Sequence, residues 1–418
     1  MKAHTMLVLV SIFIATIGLG CSSPRPNTDG SKNYSYHYPP EPCVTGMLPQ
    51  ESKNDQVIYR NKKISEIVGS THTRSNYYFG DKDSLNEGAD KLLEMGTKVV
   101  KVWFYNPTEM PDTMYRWNSQ WPKADSFVEG AKLPYWKTFF HKPFSTYIMN
   151  VMSLHMPEYY WVDGISEQQM AEEKRQFYEL TKYFLTEYQN TGKTFIFANH
   201  EGDWHLKLRP NEVSATPLPK LETPQERFGY MIKWLQARQD GVEQARKEVG
   251  MHGVRVFHAA EVVNVEKTIK EGQDNMVNKV LPFVKVDLVS YSCYDATIYG
   301  DYVHDKKDLQ EALDYIAEKA IDSEYFGSKN VYIGEYGAPE NKFSPQDVIN
   351  AARNVVEVGL EWGCPYIVYW QLYCNEPKPG VALPDWNNNN HNGFWLIRAD
   401  GSKTPVYDYF KALLQTEK

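Results

Sequence analysis

Between residues 64 and 373 a short apolar run rich in β-branched and aromatic residues recurs eight times, and stretches of helical character separate most of the runs. That alternation restricts the chain more than any other feature. The runs are ISEIVGSTHTR (64–74), KVVKVWFY (98–105), STYIMNVMSLH (145–155), KTFIFAN (193–199), VRVFHAAEVVNV (254–265), VDLVSYSCY (286–294), NVYIGEYGA (330–338) and PYIVYWQLY (365–373). Near-continuous apolar strands with helices between them are what a parallel sheet covered on its faces should show. Eight such units closing on themselves make a (β/α)8 TIM barrel, an α/β fold. A doubly wound open sheet usually has fewer units and often a glycine-rich phosphate loop after its first strand, and no such loop is present. The helices carry their own signals. Ser166 with Gln169 three later starts one, Met170, Phe177, Leu180 and Phe184 run along its face, and Gly96 and Gly363 stand where C-terminal caps belong. A chain of 418 residues accommodates one barrel with additions. The largest addition is the aromatic segment 106–141 after the second run, read as a surface loop with short helical pieces.

The N-terminus reads as an address. Lys2 precedes an apolar run from Met6 to Leu19, too short to span a bilayer well, and a small residue and Cys21 follow. IGLGC resembles the lipobox of bacterial lipoproteins, although Gly18 stands where Leu is commonest. The resemblance implies a signal peptide over 1–20, cleavage before Cys21 and lipidation of its thiol. Residues 21–40 then form a polar tether, 41–418 form the barrel domain, and the protein sits in the bacterial cell envelope, touching membrane only through its lipid. Cys43, Cys293, Cys364 and Cys374 show no metal spacing, and a disulfide among them has no pairing that sequence can choose.

The formal net charge is −8 and no dense Lys/Arg run occurs, which excludes a nucleic-acid partner because phosphate binding needs a concentrated positive patch. Aromatic residues make up 14% of the chain, a supply of flat faces for sugar rings or for filling a large core.

In a barrel the chemistry lies at the C-terminal ends of the strands. The runs here end in His72 and Arg74, Trp103 and Tyr105, His155, then Asn199, His200 and Glu201. The remaining four carry His258 and Glu261, Tyr291 and Tyr294, Glu335 and Tyr336, and Trp370 and Gln371. Glu201 and Glu335 stand out because each follows directly on a buried run, where an isolated charge is costly without a partner or a task. Strands four and seven lie on opposite sides of such a barrel, so the two side chains can face each other across the mouth. Two facing carboxyl groups suit glycoside hydrolysis, one protonating the leaving oxygen and the other attacking the anomeric carbon or activating water. Tyr294 is placed to donate to the attacking group, and Trp370 offers a face for a sugar ring. Glu261 reads as a third carboxylate for a hydroxyl or as half of a rim salt bridge, Arg74 as a counter-charge for Glu335 or for another carboxylate, and Asp203 as a rival to Glu201.

IFANHEGDW, VDLVSYSCY, VYIGEYGAP, VYWQLY and GFWLIRADGSKTP together resemble the clan-A glycoside hydrolases, retaining barrels with a catalytic Glu after strands four and seven. That likeness implies Glu201 as acid/base, Glu335 as nucleophile, Tyr294 as its hydrogen-bond partner, Trp370 as the wall of the subsite, and a carboxyl separation of about 5 to 5.5 Å. His155, Trp103 and Arg74 join the expected sugar-binding set. The family usually has Asn directly before its acid/base to bond the sugar 2-OH. Here His200 holds that place and Asn199 is one further back, so either is a candidate for the contact. Trp117, Trp121 and Trp136 of the insertion either line outer subsites or pack on one another.

The reading is a retaining β-glycoside hydrolase acting on a polysaccharide or oligosaccharide, without cofactor or metal. The alternative is a catalytically inactive glycan-binding lipoprotein on the same barrel. A metal-dependent hydrolase would need a ligand set that STHTR, with one histidine, does not supply.

Overall fold

The computed structural model describes residues 62–104, 114–154, 156, 159–207, 223–299, 302–303 and 305–415. Residues 1–20 and 21–40, the expected signal peptide and tether with Cys21, lie outside the described residues, as do Cys43, Tyr105 and His155.

The eight runs form eight strands: β1 (Val68–Thr71), β2 (Val99–Phe104), β3 (Thr146–Val151), β4 (Thr194–Ala198), β5 (Arg255–Val262), β6 (Leu288–Ser292), β7 (Val331–Tyr336) and β8 (Ile367–Tyr369). Each pairs in parallel with the next, and β8 returns to β1, so the sheet is a closed (β/α)8 TIM barrel. Residues 62–66 lie at its lower end, where the Lys62 ammonium sits 4.0 Å from the centre of the Tyr366 ring. Short pieces escaped the sequence pattern, among them the helices Gly202–Leu206 and Val265–Glu271 and a two-stranded ribbon of Ile298–Tyr299 with Tyr302–Val303.

Alternate residues of each strand enter the lumen. Its lower part is filled by Val99, Ile148, Ile196, Phe257, Leu288, Tyr332 and Tyr366, a dry packed core. Higher up, beside Ala198, Ala259 and Val368, polar side chains enter: Lys101 on β2, Glu261 on β5 and Ser290 on β6. Outside the ring the helices cover the strands, and their ends follow the expected chemistry. Ser166 accepts the Gln169 N–H while Gln169 accepts that of Ser166, and Gly96 and Gly363 take φ of 114° and 93°.

The insertion contains two short helices, Phe127–Lys132 and Pro134–His141. Trp136 is buried among Phe104, Tyr115, Trp121 and Phe140, so this part of the insertion packs on itself. Trp117 sits apart, 5.6 Å from the Tyr78 ring, with its indole N–H on the Ser75 carbonyl. Cys293, Cys364 and Cys374 are buried free thiols.

One buried ion pair ties the helices Glu167–Glu187 and Gln225–Val249 to the barrel. Arg238 Nε donates to Glu173 Oε1 at 2.6 Å, its Nη1 donates to the Val151 carbonyl at 3.0 Å, and its guanidinium lies 3.8 Å from the Trp234 ring centre. Both partners are fully buried, so truncating one strands the other charge. Arg238→Ala should lower unfolding stability by about 3–5 kcal/mol in a denaturant titration, and a loss under about 1 kcal/mol would show that the pair does not anchor these helices.

Candidate active site

Chain direction changes sharply at the end of β4. Glu201 takes a left-handed backbone (φ 32°, ψ 63°) and starts the short helix Gly202–Leu206. A non-glycine residue holds such angles only where its surroundings over-determine them, and here three side chains do so. Asn199 Oδ1 accepts the Glu261 N–H at 3.0 Å, and Glu261 Oε1 accepts the Glu201 N–H at 3.0 Å. Asp203 accepts the backbone N–H groups of Val263 and Met276 at 2.8 and 2.7 Å. Gly202 lets the turn close, since a Cβ there would lie 2.5 Å from Met276 Sδ. Asp203, the rival carboxylate, is therefore occupied with backbone, and Glu201 is left to face the mouth.

Glu335 sits on an irregularity of its own, for the register shifts on both sides of it, toward β6 and toward β8. Both glycines of IGEYG are sterically required. A Cβ on Gly334 would fall 1.8 Å from Ser290 Oγ, and one on Gly337 would fall 2.3 Å from the Trp370 carbonyl oxygen. The shift is the kind of bulge that re-aims a side chain near a site.

The two carboxyl groups differ in their partners. Glu201 Oε1 accepts the Ser292 hydroxyl at 2.8 Å. Glu335 Oε1 accepts the Tyr294 hydroxyl at 3.2 Å, and its Oε2 lies 3.4 Å from the Lys101 ammonium. Burial, and then the charges of Glu335 and Glu261, push Glu201 well above the usual carboxylate range. Burial also raises Glu335, Lys101 pulls it back, Glu261 raises it again and the Tyr294 bond lowers it, leaving it at about 7. Burial alone would depress Lys101, but the charges of Glu261 and Glu335 outweigh burial and hold it above its ordinary value.

Around the pair, the Trp103 ring lies 5.3 Å from His200 and meets Trp370 edge-on at 5.5 Å. The Trp370–Gln371 peptide is cis. His200 Nε2 stands 3.7 Å from Glu201 Oε2. Burial and the charges of Lys101 and Arg74 push the imidazole down to about 3, so it is neutral near pH 7 and this contact is no ion pair. Asn199, by contrast, is buried beneath the turn and holds β5, with its Nδ2 beside Gly202. Of the two candidates for the sugar contact, the structure brings His200 to the mouth and keeps Asn199 behind it. The Arg74 side chain runs against Met114, with Nε 3.1 Å from its sulfur, and its charge acts on His200. His258 points away from the lumen and meets Gln239 of a covering helix.

The sequence reading missed Lys101, Ser290 and Ser292. Lys101 had a signal: a lysine inside an apolar β run, two places before Trp103 and so on the same face. Of the two readings of Glu261, a carboxylate for a hydroxyl or half of a rim salt bridge, the structure shows a salt bridge, to Lys101 at 2.8 Å, but inside the lumen and not at the rim. His200, Glu261 and Glu335 offer ligand atoms within 4.8 Å of one another, as a metal ion would need. The Lys101 ammonium already bridges the two carboxylates of that set and supplies the positive charge.

Farther out, Trp386 is 45% exposed and hydrogen-bonded by its N–H to the Tyr78 carbonyl at 2.9 Å. Its ring meets Tyr78 edge-on at 5.5 Å, and Trp117 flanks the same tyrosine. These residues follow β8, β1 and β2, neighbours on the ring, and form an aromatic ridge on that side.

No family model and no curated protein matches this sequence. Among solved structures, a variant of GH5_18 from Streptomyces cattleya, in complex with Manβ1-4GlcNAc, superposes with a TM-score of 0.55 at 12% identity, covering 84% of this chain and 81% of that one. A GH5_18 from Bifidobacterium longum subsp. infantis gives 0.54 at 12% identity over 84% and 78%. The exo-β-1,4-mannosidase Op5Man5 from Opitutaceae bacterium strain TAV5 gives 0.50 at 12% over 84% of this chain and 59% of that chain. At such identities the likeness is one of architecture: this chain has the barrel fold of GH5 and other clan-A glycoside hydrolases.

Proposed function

We propose that the protein is a retaining β-glycoside hydrolase acting on an oligosaccharide or polysaccharide, with Glu335 as nucleophile and Glu201 as acid/base. One observation carries the reading: two buried carboxyl groups lead from β4 and β7 to one mouth, and their surroundings make them unlike. Glu201 faces two other carboxylates and keeps its proton, while Glu335 has an ammonium and a phenol to stabilise its charge. In the first step the Glu335 carboxylate bonds to the anomeric carbon as the glycosidic C–O bond breaks and the Glu201 proton passes to the leaving oxygen. In the second, Glu201 takes a proton from water, whose oxygen displaces Glu335 with net retention. Neutral His200 is placed to share a hydrogen bond with a hydroxyl of the attacked sugar, and Trp103 and Trp370 form the apolar wall.

The substrate search begins with β-mannosides, because one similar barrel binds Manβ1-4GlcNAc and another is an exo-β-1,4-mannosidase. Export and lipidation at Cys21 complete the proposal, resting on IGLGC. Cys21→Ala should move the protein from the membrane pellet to the soluble fraction, and a variant that still pellets removes the anchor.

Glu335→Ala should lower kcat/KM by at least about 10³-fold, with azide restoring turnover and giving a product of inverted configuration. Full activity in that variant sinks the assignment. Sugar binding without any hydrolysis across mannans, glucans, xylans and galactans would leave a glycan-binding barrel instead.

The pH dependence has a definite sign. Glu335 must be ionised, so kcat/KM should rise as pH increases through about 7. It should fall only at higher pH, where Glu201 loses its proton. An acidic limb near the ordinary carboxylate value of about 4 contradicts this electrostatic picture. Trp386→Ala should raise KM for long oligosaccharides about three- to tenfold and leave a short aryl glycoside unaffected, if the ridge supports outer sugars.

A further inference from the structure

Beneath the two carboxyl groups lies a third. Glu261 enters the lumen from β5 with no solvent exposure, so it does not touch a substrate. Each of its oxygens is nevertheless tied to one of the groups above. Oε1 accepts the backbone N–H of Glu201 at 3.0 Å, while Oε2 accepts the Ser290 hydroxyl at 2.7 Å and the Lys101 ammonium at 2.8 Å. Lys101 has three N–H donors and finds three acceptors: Glu261 Oε2, the Gly334 carbonyl at 3.1 Å and Glu335 Oε2 at 3.4 Å. No donor is spare, and the bond to Glu335 is the longest. Two carboxylates therefore compete for one cation in a place where burial makes charge interactions strong.

Resting on the roles proposed above for Glu201 and Glu335, we infer that Glu261 is a positioning residue for both: its Oε1 holds the backbone that aims Glu201, and its Oε2 withholds part of the Lys101 charge from Glu335. The groups facing Glu261 are Lys101 from β2, Asn199, His200, the Glu201 amide and carboxyl and His205 from the end of β4, Ser290 from β6, and Tyr332 and Glu335 from β7. Glu335 itself is faced by Lys101, Glu261, Tyr294 and the imidazole of His200, with Glu201 across the mouth. With Glu261 made neutral, a repelling charge disappears and Lys101 is free to close on Glu335, and both changes favour the ionised nucleophile. With Lys101 removed as well, Glu335 loses its main stabilising charge and the balance reverses.

The test is to titrate Glu335 directly, by ¹³C NMR of the full chain labelled at the glutamate side-chain carboxyl carbons. The resonance is assigned by its loss in Glu335→Gln, and a pH profile of kcat/KM is measured alongside. Glu261→Gln should lower the Glu335 midpoint by about half a unit or more. The double variant Lys101→Met with Glu261→Gln replaces the ion pair by neutral side chains that still fill the lumen, and its midpoint should lie above that of the wild type. A Glu335 midpoint unmoved in Glu261→Gln, with only the rate or the melting temperature changed, makes Glu261 merely structural and overturns the inference. Where the single variant does not fold, the double variant decides, and a midpoint at or below the wild-type value overturns it. Because the NMR titration needs no turnover, a protein that cleaves no glycan while its midpoints move in opposite directions keeps this inference and loses the glycosidase reading.

Discussion

An ammonium inside a barrel lumen either finds carboxylates or gives up its proton, because burial without partners costs far more than the chain can offset. Lys101 finds two, and the arrangement of the mouth depends on how it divides itself between them. It bonds Glu261 closely and Glu335 less closely, and it makes no bond to Glu201. That off-centre placement separates two otherwise similar residues. Glu335 is drawn back toward ionisation, whereas Glu201, facing two carboxylates, holds its proton. The same lumen therefore keeps one carboxyl group protonated and draws the other toward ionisation, the difference that the proposed chemistry requires.

Backbone geometry at the two strand ends serves this charge pattern. The left-handed turn at Glu201 is a strained conformation, and it persists because Asn199, Glu261 and Asp203 each hold a backbone amide around it. The register shift beside Glu335 has a matching support, for Gly334 leaves the space that Ser290 occupies below. Ser292 and Glu335 are register partners on β6 and β7, and Ser292 in turn bonds Glu201. A single set of short contacts thus connects the ends of β4, β6 and β7, which is how a rigid barrel positions groups that must act together.

Much of this was legible beforehand, for identifiable reasons. Each strand is buried on both faces and so reads as a largely apolar run, and all eight were found, although the runs extend beyond the strands: 64–74 and 365–373 in the sequence hold only Val68–Thr71 and Ile367–Tyr369 as strand. Glu201 and Glu335 were visible because a charge at the end of such a run is conspicuous. The partners were harder to see. Lys101 is surrounded in sequence by Val100 and Val102 and looks like an anomaly of the strand, and its role emerges only when β5 and β7 bring Glu261 and Glu335 to it. Ser290 and Ser292 carry no signal in sequence, since serines are common anywhere.

The choice between Asn199 and His200 shows where the limit falls. Alternation along a regular strand puts Asn199 on the side of Glu201, but the left-handed turn breaks the alternation, burying Asn199 and turning His200 to the mouth. By itself the sequence determined the number of strands, their parallel order and the two carboxylates at their ends, because hydrophobic periodicity and the cost of burying charge act locally along the chain. Only the tertiary structure decided which groups share the Lys101 cation and which side chain flanks Glu201, because both depend on residues 60 to 234 positions apart meeting across one lumen.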